Sequence, residues 1–285
     1  MNAVNHLVTS LFNVLLTPLE VLGREFALIL VSGIFGVLAL FIFKFISNQK
    51  GIAGAKDKIK GHLIEIRIYQ DDLWVVTKAI GKICLRNLQY VSMNLLPFIP
   101  LAIPFVFVLA QFATRYGFAP LPVQDAEAAL AGTGTVVQIE LADDAKADVA
   151  GLTIEYPDFI RPLTELPVRA PSAGRAFQEI VATAPGSGQI TFTLADGTSV
   201  TKDIVAGDEA PRMMQPERVQ GFFVSWLWPA EDSFAGDSAF NRIHFVYPDS
   251  ELRWMPDGVF GVLVTFLIAS IVFGLAAMKP LKVQI

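Results

Sequence analysis

The chain has 285 residues, of which 53% are hydrophobic, and its mean hydropathy of +0.50 excludes an ordinary soluble protein. Its net charge of −5 conceals a basic segment at residues 47–87, where eight Lys or Arg residues stand against four acidic ones. The single cysteine, Cys84, lies in that segment, which excludes a disulfide within any exported part of the chain.

Residues 1–24 predict an amphipathic interfacial helix. Apolar residues recur at helical spacing, and polar residues occupy the other side; the apolar set is Val4, Leu7, Val8, Leu11, Leu15, Leu19 and Leu22. No Lys or Arg precedes Arg24 and no cleavage site follows, so the segment is not a secretory signal. The helix either lies flat in the outer membrane interface or packs against an exported domain.

Three stretches contain no charged residue, namely residues 26–43, 87–114 and 258–278. A helix of about 20 residues crosses a hydrocarbon core roughly 30 Å thick. One such run could belong to a buried soluble helix, but three in one chain favour membrane spans. We therefore predict transmembrane helices at residues 25–46, 87–114 and 257–278, with a short tail at 279–285.

Residues 47–86 show an apolar stripe whose members are mostly three and four residues apart: Ile59, Leu63, Ile66, Leu73, Val76, Ile80 and Ile83. The sequence "QDDL" interrupts the stripe, and Asp71 or Asp72 can cap a new helix there. The pattern predicts an antiparallel hairpin of two helices, at residues 53–69 and 72–85.

Three prolines, Pro97, Pro100 and Pro104, lie within the second predicted span. Each proline removes a backbone donor and disturbs the preceding turn. In a bilayer the freed carbonyls need partners from protein or water. We therefore expect this helix to be bent and to pack against its neighbours.

Residues 115–256 predict a separate β domain. "TVVQIELAD" and "GQITFTLADGTSVTKDIVAG" alternate in polarity, and Asp196-Gly197 marks a hairpin turn. Further strands are expected at 151–156, 177–183, 219–227 and 241–247. The default architecture is an antiparallel sandwich of about seven strands.

The distribution of charge predicts the orientation in the membrane. Short basic loops stay in the cytoplasm, whereas long domains are translocated with little regard to charge. The basic hairpin and the tail with Lys279 and Lys282 are therefore cytoplasmic, and the acidic β domain and amino terminus lie outside. The fold class is an α-helical membrane protein with three transmembrane helices, a cytoplasmic helical hairpin and an extracytoplasmic all-β sandwich-like domain.

No constellation for catalysis is recognisable in the sequence. The three histidines, His6, His62 and His244, fall in three different compartments of this topology. There is no zinc cluster, phosphate-binding glycine loop or metalloprotease motif. We expect neither enzymatic activity nor a metal or cofactor, and the basic residues beside the membrane favour anionic lipid over DNA.

Polar groups collect at the cytoplasmic half of the predicted spans. Lys44 and Asn48 lie at the end of the first span. Asn94 lies near the start of the second span, on the same helix face as Asn87. In one interpretation Lys44 extends to the lipid headgroups. In the other, Lys44, Asn48 and Asn94, with Pro97 and Pro100, line a hydrated groove, since an intramembrane charge usually marks function.

The order of these features resembles the Oxa1 superfamily of membrane protein insertases, which includes the YidC proteins and the three-span EMC3 and TMCO1 branches. The resemblance covers about residues 20–115 and 256–285. It rests on "FIFKFIS", on "IKGHLIEIRIYQDDLWVVTKAIGKICLRN" and on "NLLPFIPLAIPF". In that family a basic residue faces a groove open to the cytoplasm, and by position Lys44 matches it.

The resemblance implies a bacterial inner-membrane insertase or chaperone that lowers the cost of moving polar segments into the bilayer. Its expected partners are nascent or unfolded membrane proteins and the lipid bilayer, with a ribosome or translocon as further candidates. The hairpin would contact them through Lys56, Lys58, Lys60 and Arg67. The alternative is an anchored envelope adaptor or complex subunit, whose β domain binds an extracytoplasmic partner.

Overall fold

The computed structural model describes residues 2–125, 132–208, 211–221 and 223–283. This part of the chain forms six α-helices: α1 Asn2–Glu20, α2 Arg24–Ile46, α3 Gln49–Ile68, α4 Leu73–Leu95, α5 Phe98–Tyr116 and α6 Gly258–Leu281. It also forms nine β-strands: β1 Thr135–Leu141, β2 Thr153–Glu155, β3 Ile160–Pro162, β4 Val168–Ala170, β5 Arg175–Ala182, β6 Gly186–Thr193, β7 Ser199–Ala206, β8 Glu217–Val219 and β9 Phe240–His244. Residues 126–131, 209–210 and 222 of the predicted β domain and residues 284–285 of the predicted tail lie outside the described residues.

The chain divides into two compact units. The β unit consists of Met1–Ala27 and Val106–Val264, and the helical unit consists of Leu28–Phe105 and Thr265–Ile285. Helices α2, α5 and α6 contribute residues to both units.

Three helices in the described residues are long and apolar enough to cross a membrane, and they accompany a β-sheet domain, as the sequence predicted. They are α2, α5 and α6, with 23, 19 and 24 residues. At 1.5 Å per residue even the shortest extends about 28 Å, close to the thickness of a hydrocarbon core. Sidedness follows from charge alone and stays a prediction.

The predicted second span differs from the structure, because residues 87–114 do not form one helix. α4 continues to Leu95, and α5 begins at Phe98 after a break at Leu96 and Pro97. Pro100 lies in the first turn of α5, where its missing N–H has no helical partner to lose. Pro104 lies inside α5 and removes a helical hydrogen bond there. The break therefore occurs at the first proline.

Helices α3 and α4 pack against each other as an antiparallel pair across a turn at residues 69–72. Asp72 caps α4, since the backbone N–H groups of Trp74 and Val75 donate to its Oδ1 at 3.0 and 3.2 Å. Asn48 caps α3 in the same way, accepting from Gly51 N–H at 2.9 Å. Each cap satisfies donors that the first helical turn leaves open.

The β unit contains two antiparallel sheets that share one core. One sheet has the order β3-β5-β1-β9-β8, with β4 also on β5, and the other has the order β2-β6-β7. Alternate residues point inward, so both sheets bury large apolar side chains in the same cluster, among them Ile139, Ile180, Phe192, Ile204, Phe240 and Ile243. This is the expected sandwich, with nine strands in the described residues instead of about seven.

The hairpin predicted at Asp196-Gly197 joins β6 to β7, with Thr193 opposite Ser199. Gly197 has a φ of +87°, and Asp196 accepts bonds from the backbone N–H and hydroxyl of Thr198. The turn therefore uses a glycine for left-handed backbone and an aspartate for local hydrogen bonds.

The strand predicted at 219–227 is wrong beyond its first residue. β8 ends at Val219, and Val224–Trp226 forms a 3₁₀ turn. The sequence "GFFVSWLW" is apolar and β-prone. The turn instead closes on itself through the bonds from Trp226 N–H to Phe223 O and from Leu227 N–H to Val224 O.

Within the β unit, helix α1 packs against α5 through a side that combines the buried apolar residues Phe12 and Leu16 with polar ones. Thr9 accepts a bond from Gln111 at 2.8 Å, Asn13 accepts one from Arg115, and Glu20 accepts one from the Tyr116 hydroxyl. The opposite side faces outward, with Leu7 71% and Val14 80% exposed. The sequence left two alternatives for this helix, lying in the membrane interface or packing against the exported domain. In the structure one side of the helix packs inward, and the other side exposes apolar residues.

Candidate functional site

An apolar crevice of about 350 Å³ lies among the three candidate spans in the helical unit. α2, α5 and α6 all contribute to its wall, and Ser270 supplies the one polar side chain; the lining consists of Phe35, Gly36, Ala39, Phe98, Leu101, Ala102, Phe105, Leu267, Ser270 and Ile271. Four of these residues are small, which leaves room between the helices. The crevice can receive an apolar chain or the apolar face of a helix.

Close packing of α2 on α6 forms one end of the crevice. A Cβ at Gly36 would approach the Ser270 carbonyl oxygen to 2.1 Å, so the two backbones are in contact there. Phe35 packs on Phe266 and Phe105, with ring centroids 5.4 and 6.2 Å from its own. These rings hold α5 beside the α2–α6 pair.

At its other end the crevice adjoins a buried apolar cluster. Leu101 belongs to both, and the cluster contains Leu40, Phe43, Ile52, Leu101 and Val283, with Tyr90 and Met93 packed against it. The ring of Phe98, which lines the crevice, lies 5.7 Å from the ring of Phe43. Residues of α2, α3, α4 and α5 therefore meet around Phe43.

Lys44 follows Phe43 in the last turn of α2 and is half-buried. It makes no hydrogen bond or ion pair with any residue that the structure describes. Among the described residues, its ammonium group therefore lacks a protein counter-charge. A cation near a helix C-terminus is stabilised by the helix dipole, which partly offsets the missing partner.

Asn94 follows Met93 and lies near the same cluster. Its side-chain amide donates to Tyr90 O at 2.8 Å, while its Oδ1 is buried and has no hydrogen-bond partner among the described residues. An unpaired buried carbonyl costs about 1–3 kcal/mol, so water or an incoming donor would relieve it. Lys44 and Asn94 thus each leave a polar group open beside the Phe43 cluster.

The other predicted groove residues have different environments. Asn48 is exposed and serves as the cap of α3, Pro97 is buried in the break before α5, and Pro100 is exposed. None of the five predicted groove residues lines the apolar crevice. Lys44 and Asn94 each follow a residue of the apolar cluster in the chain, Phe43 and Met93, and the structure does not assemble all five into a single wall.

The predicted contact residues of the hairpin lie on the outside of α3. Lys58, Lys60 and Arg67 are exposed, and Lys60 lies 3.9 Å from Asp57. Lys56 is half-buried, with its Nζ 5.6 Å from the centre of the Tyr90 ring. Around the turn of the hairpin, Ile68, Leu73 and Trp74 are 66%, 80% and 68% exposed. The hairpin therefore presents cations and apolar side chains together.

The crevice was not predicted from the sequence, although small residues on α2 could have indicated it. Gly33, Gly36 and Ala39 follow the three- and four-residue spacing of one helix face. Such a face permits close approach of another membrane helix. Ala102 on α5 has no comparable pattern, so its place in the crevice depends on tertiary packing.

The β unit holds a second group of polar side chains. Lys202 is fully buried, donates to Gln215 O at 2.7 Å and pairs with Glu231. Burial lowers the pKa of the Lys202 ammonium and raises the pKa of the Glu231 carboxyl, because both lose water. No group of His, Cys, Asp and Glu residues suited to a metal ion occurs in the described part of the chain. We assign this pair a structural role.

Comparison of the chain with protein-family models, curated proteins and solved structures finds no match.

Proposed function

We propose that this chain is a membrane protein insertase or chaperone of the Oxa1-like type. A client's apolar segment lies in the crevice among α2, α5 and α6, while its polar flank rests beside Lys44 and Asn94. The observation that carries the proposal is that these two unpaired polar groups directly follow, in the chain, Phe43 and Met93 of the apolar cluster that shares Leu101 with the crevice.

The physical task is to reduce the cost of dehydrating a polar flank. Burying an amide without a hydrogen bond costs roughly 2–7 kcal/mol, and burying a bare charge costs far more. The unpaired ammonium of Lys44 can donate hydrogen bonds to acceptors in that flank, and the unpaired carbonyl of Asn94 can accept one from a donor in it. The apolar crevice simultaneously removes the hydrophobic segment from water, and neither step needs a cofactor.

The hairpin is proposed to receive clients before they reach the crevice. Lys58, Lys60 and Arg67 are exposed, as are Leu73 and Trp74 at the turn. Cations favour anionic surfaces such as ribosomal RNA or lipid headgroups, and exposed apolar side chains favour nascent segments. In this proposal the hairpin lies on the cytoplasmic side of a bacterial inner membrane.

The test replaces Lys44 in cells depleted of other insertases. Lys44→Leu should reduce insertion of a reporter with a short translocated tail, whereas Lys44→Arg, which keeps the charge, should retain it. Insertion is measured by protease protection of the tail, at equal levels of the two variants. Equal insertion by Lys44→Leu and Lys44→Arg would contradict a role for the charge.

A second pair of variants tests the crevice. Ala102→Phe fills it, while Ile103→Phe adds a phenyl ring at the adjacent position, which is 52% exposed and does not line the crevice. We expect only Ala102→Phe to reduce insertion. If Ile103→Phe lowers insertion equally, the effect comes from altered helix stability instead of crevice volume.

The second candidate function is an envelope adaptor, and a cleft in the β unit favours it. The cleft measures about 810 Å³ and is lined both by apolar residues, including Phe118, Pro120 and Pro185, and by charged ones, including Arg24, Asp249 and Glu251. Deleting residues 120–254 separates the two functions, because an adaptor loses all activity while an insertase retains some.

A further inference from the structure

We propose that part of the β unit is immersed in the lipid bilayer beside α5, through a surface formed by α1 and the segment after β8. This surface, the apolar collar, consists of Val4, Leu7, Leu11, Val14, Phe223, Val224 and Leu227. The proposal concerns how the β unit is held at the membrane and does not depend on insertase activity.

Helix α1 has the polarity of a membrane-facing helix. Asn5, Thr9, Asn13 and Glu20 all form hydrogen bonds toward the β unit. The opposite face is exposed, with Leu7 71%, Leu11 62% and Val14 80% accessible, and it carries no charge. Phe12 and Leu16 are buried on the inner face of α1, so this outer apolar face is an additional one, where a surface helix in water would carry polar residues.

The second part of the collar is the aromatic-rich segment that the sequence had assigned to a strand. Phe223, Val224 and Leu227 are 71%, 44% and 50% exposed. Asn5 donates to Ser225 O at 2.9 Å, which joins this segment to the first turns of α1. The two parts are therefore adjacent.

Hydrogen bonds fix the level of the collar along α5. Thr9 pairs with Gln111 and Asn13 pairs with Arg115, so α1 runs beside α5 in the same direction and in step. The ring of Trp226 lies 5.1 Å from the ring of Phe107, which is nine residues before Tyr116. The segment thus lies about 14 Å short of the end of α5, at 1.5 Å per residue.

The level of the collar identifies what covers it. α5 is 19 residues long and is a candidate membrane span, so Phe107 lies near its middle. Half of a hydrocarbon core is about 15 Å thick. When α5 spans the bilayer, a surface beside its C-terminal half faces the same acyl chains.

The backbone N–H groups of residues 225–227 also meet the requirement for such a position. Irregular backbone is tolerated at membrane depth only where its polar groups are satisfied by protein. The N–H of Ser225 donates to Gly221 O, Trp226 N–H donates to Phe223 O, and Leu227 N–H donates to Val224 O. These bonds and the one from Asn5 keep the 3₁₀ turn self-contained.

The experiment places nitroxide spin labels on the full chain in phosphatidylcholine liposomes. Leu11→Cys and Leu227→Cys are made in a Cys84→Ser background, with Phe223→Cys as a substitute for a variant that fails to fold. Val168→Cys is the matched control, because Val168 is an apolar residue on β4 that is 67% exposed. Collision of the label with oxygen reports lipid, and collision with a water-soluble nickel chelate reports water.

We expect the collar labels to collide more with oxygen and less with the chelate than the Val168→Cys label does. Chelate accessibility equal to that of the control would overturn the proposal in favour of a surface in water. Protection from both reagents would overturn it in favour of a second copy or another protein. Neither measurement uses client insertion, so its outcome is separate from that of the insertase proposal.

Discussion

Small residues decide how closely the candidate spans approach. At Gly36 an added Cβ would meet the backbone of Ser270, and at Gly33 it would meet the ring of Phe273 at 2.6 Å. The phenyl ring can move by rotation about its side-chain bonds, but the backbone of α6 can yield only by displacing the helix. Gly36 is therefore the more constrained of the two positions.

Gly36→Ala should lower the free energy of unfolding by about 1–3 kcal/mol, the usual cost of overpacking a tight contact. Gly54→Ala is the matched control, because a Cβ at Gly54 meets nothing within 4 Å and alanine favours a helix by about 1 kcal/mol. Unfolding in mixed detergent micelles measures both. Similar destabilisation by the two changes would contradict the close contact.

The buried polar residues of the β unit make its stability sensitive to pH. His244 lies on β9, with its Nδ1 3.6 Å from the Glu217 carboxylate. Burial lowers the pKa of His244 below its ordinary value of 6.5, against the opposing effect of Glu217. The unfolded chain therefore takes up a proton at a higher pH than the folded chain does.

Stability should consequently fall as the pH drops below about 6.5, because unfolding is then coupled to proton uptake by His244. In His244→Gln this contribution disappears, so the difference in melting temperature between pH 7.5 and pH 5.5 should shrink. Near-ultraviolet circular dichroism follows the melting of the β unit. An unchanged or larger difference in the variant would show that other groups dominate the acid response.

At the scale of elements, local sequence signals define the hairpin well. The cap at Asp72 could be predicted from "QDDL", with Asp71 left as the alternative because sequence alone does not give side-chain direction. The extent of α4 could not be predicted in the same way. The helix passes the end of the charged segment and stops only before Pro97, because proline has no N–H to donate to a preceding helical carbonyl and its ring crowds that carbonyl.

The two aspartates of the turn provide a matched test. Asp72→Ala removes the acceptor of two backbone N–H groups and should destabilise the start of α4 by about 1 kcal/mol. Asp71→Ala, which removes an exposed carboxylate of the same size, should have little effect. Amide hydrogen exchange at residues 73–77 reports the change. Equal acceleration in both variants would assign the effect to lost charge instead of to the cap.

At the scale of the whole molecule, charge is the only feature that predicts sidedness. Eight basic residues against four acidic ones mark the segment at 47–87, while ten basic against twenty-one acidic ones mark residues 115–257. The short basic segment is expected in the cytoplasm. The contacts within each unit are equally compatible with either orientation, because they are the same whichever side of the membrane the unit faces.

Cysteine labelling of intact cells checks this orientation. A membrane-impermeant maleimide should leave Cys84, which is exposed on α4, unmodified until the membrane is opened. Leu166 lies in the β unit and is 68% exposed. In the Cys84→Ser background, Leu166→Cys should react in spheroplasts whose inner membrane is intact. Reaction of Cys84 in those spheroplasts, with protection of Leu166→Cys, would invert the topology.

The sequence by itself determined the three apolar helices, the hairpin and the β-rich character of residues 135–247, because each depends on local periodicity and turn residues such as Asp196-Gly197. Only the tertiary structure decided that α1 packs inward through Phe12, Leu16 and its polar residues, and that Val224–Trp226 forms a turn. It likewise decided that Ala102 lines a crevice. These features depend on which surfaces meet, and one chain segment does not encode its partner.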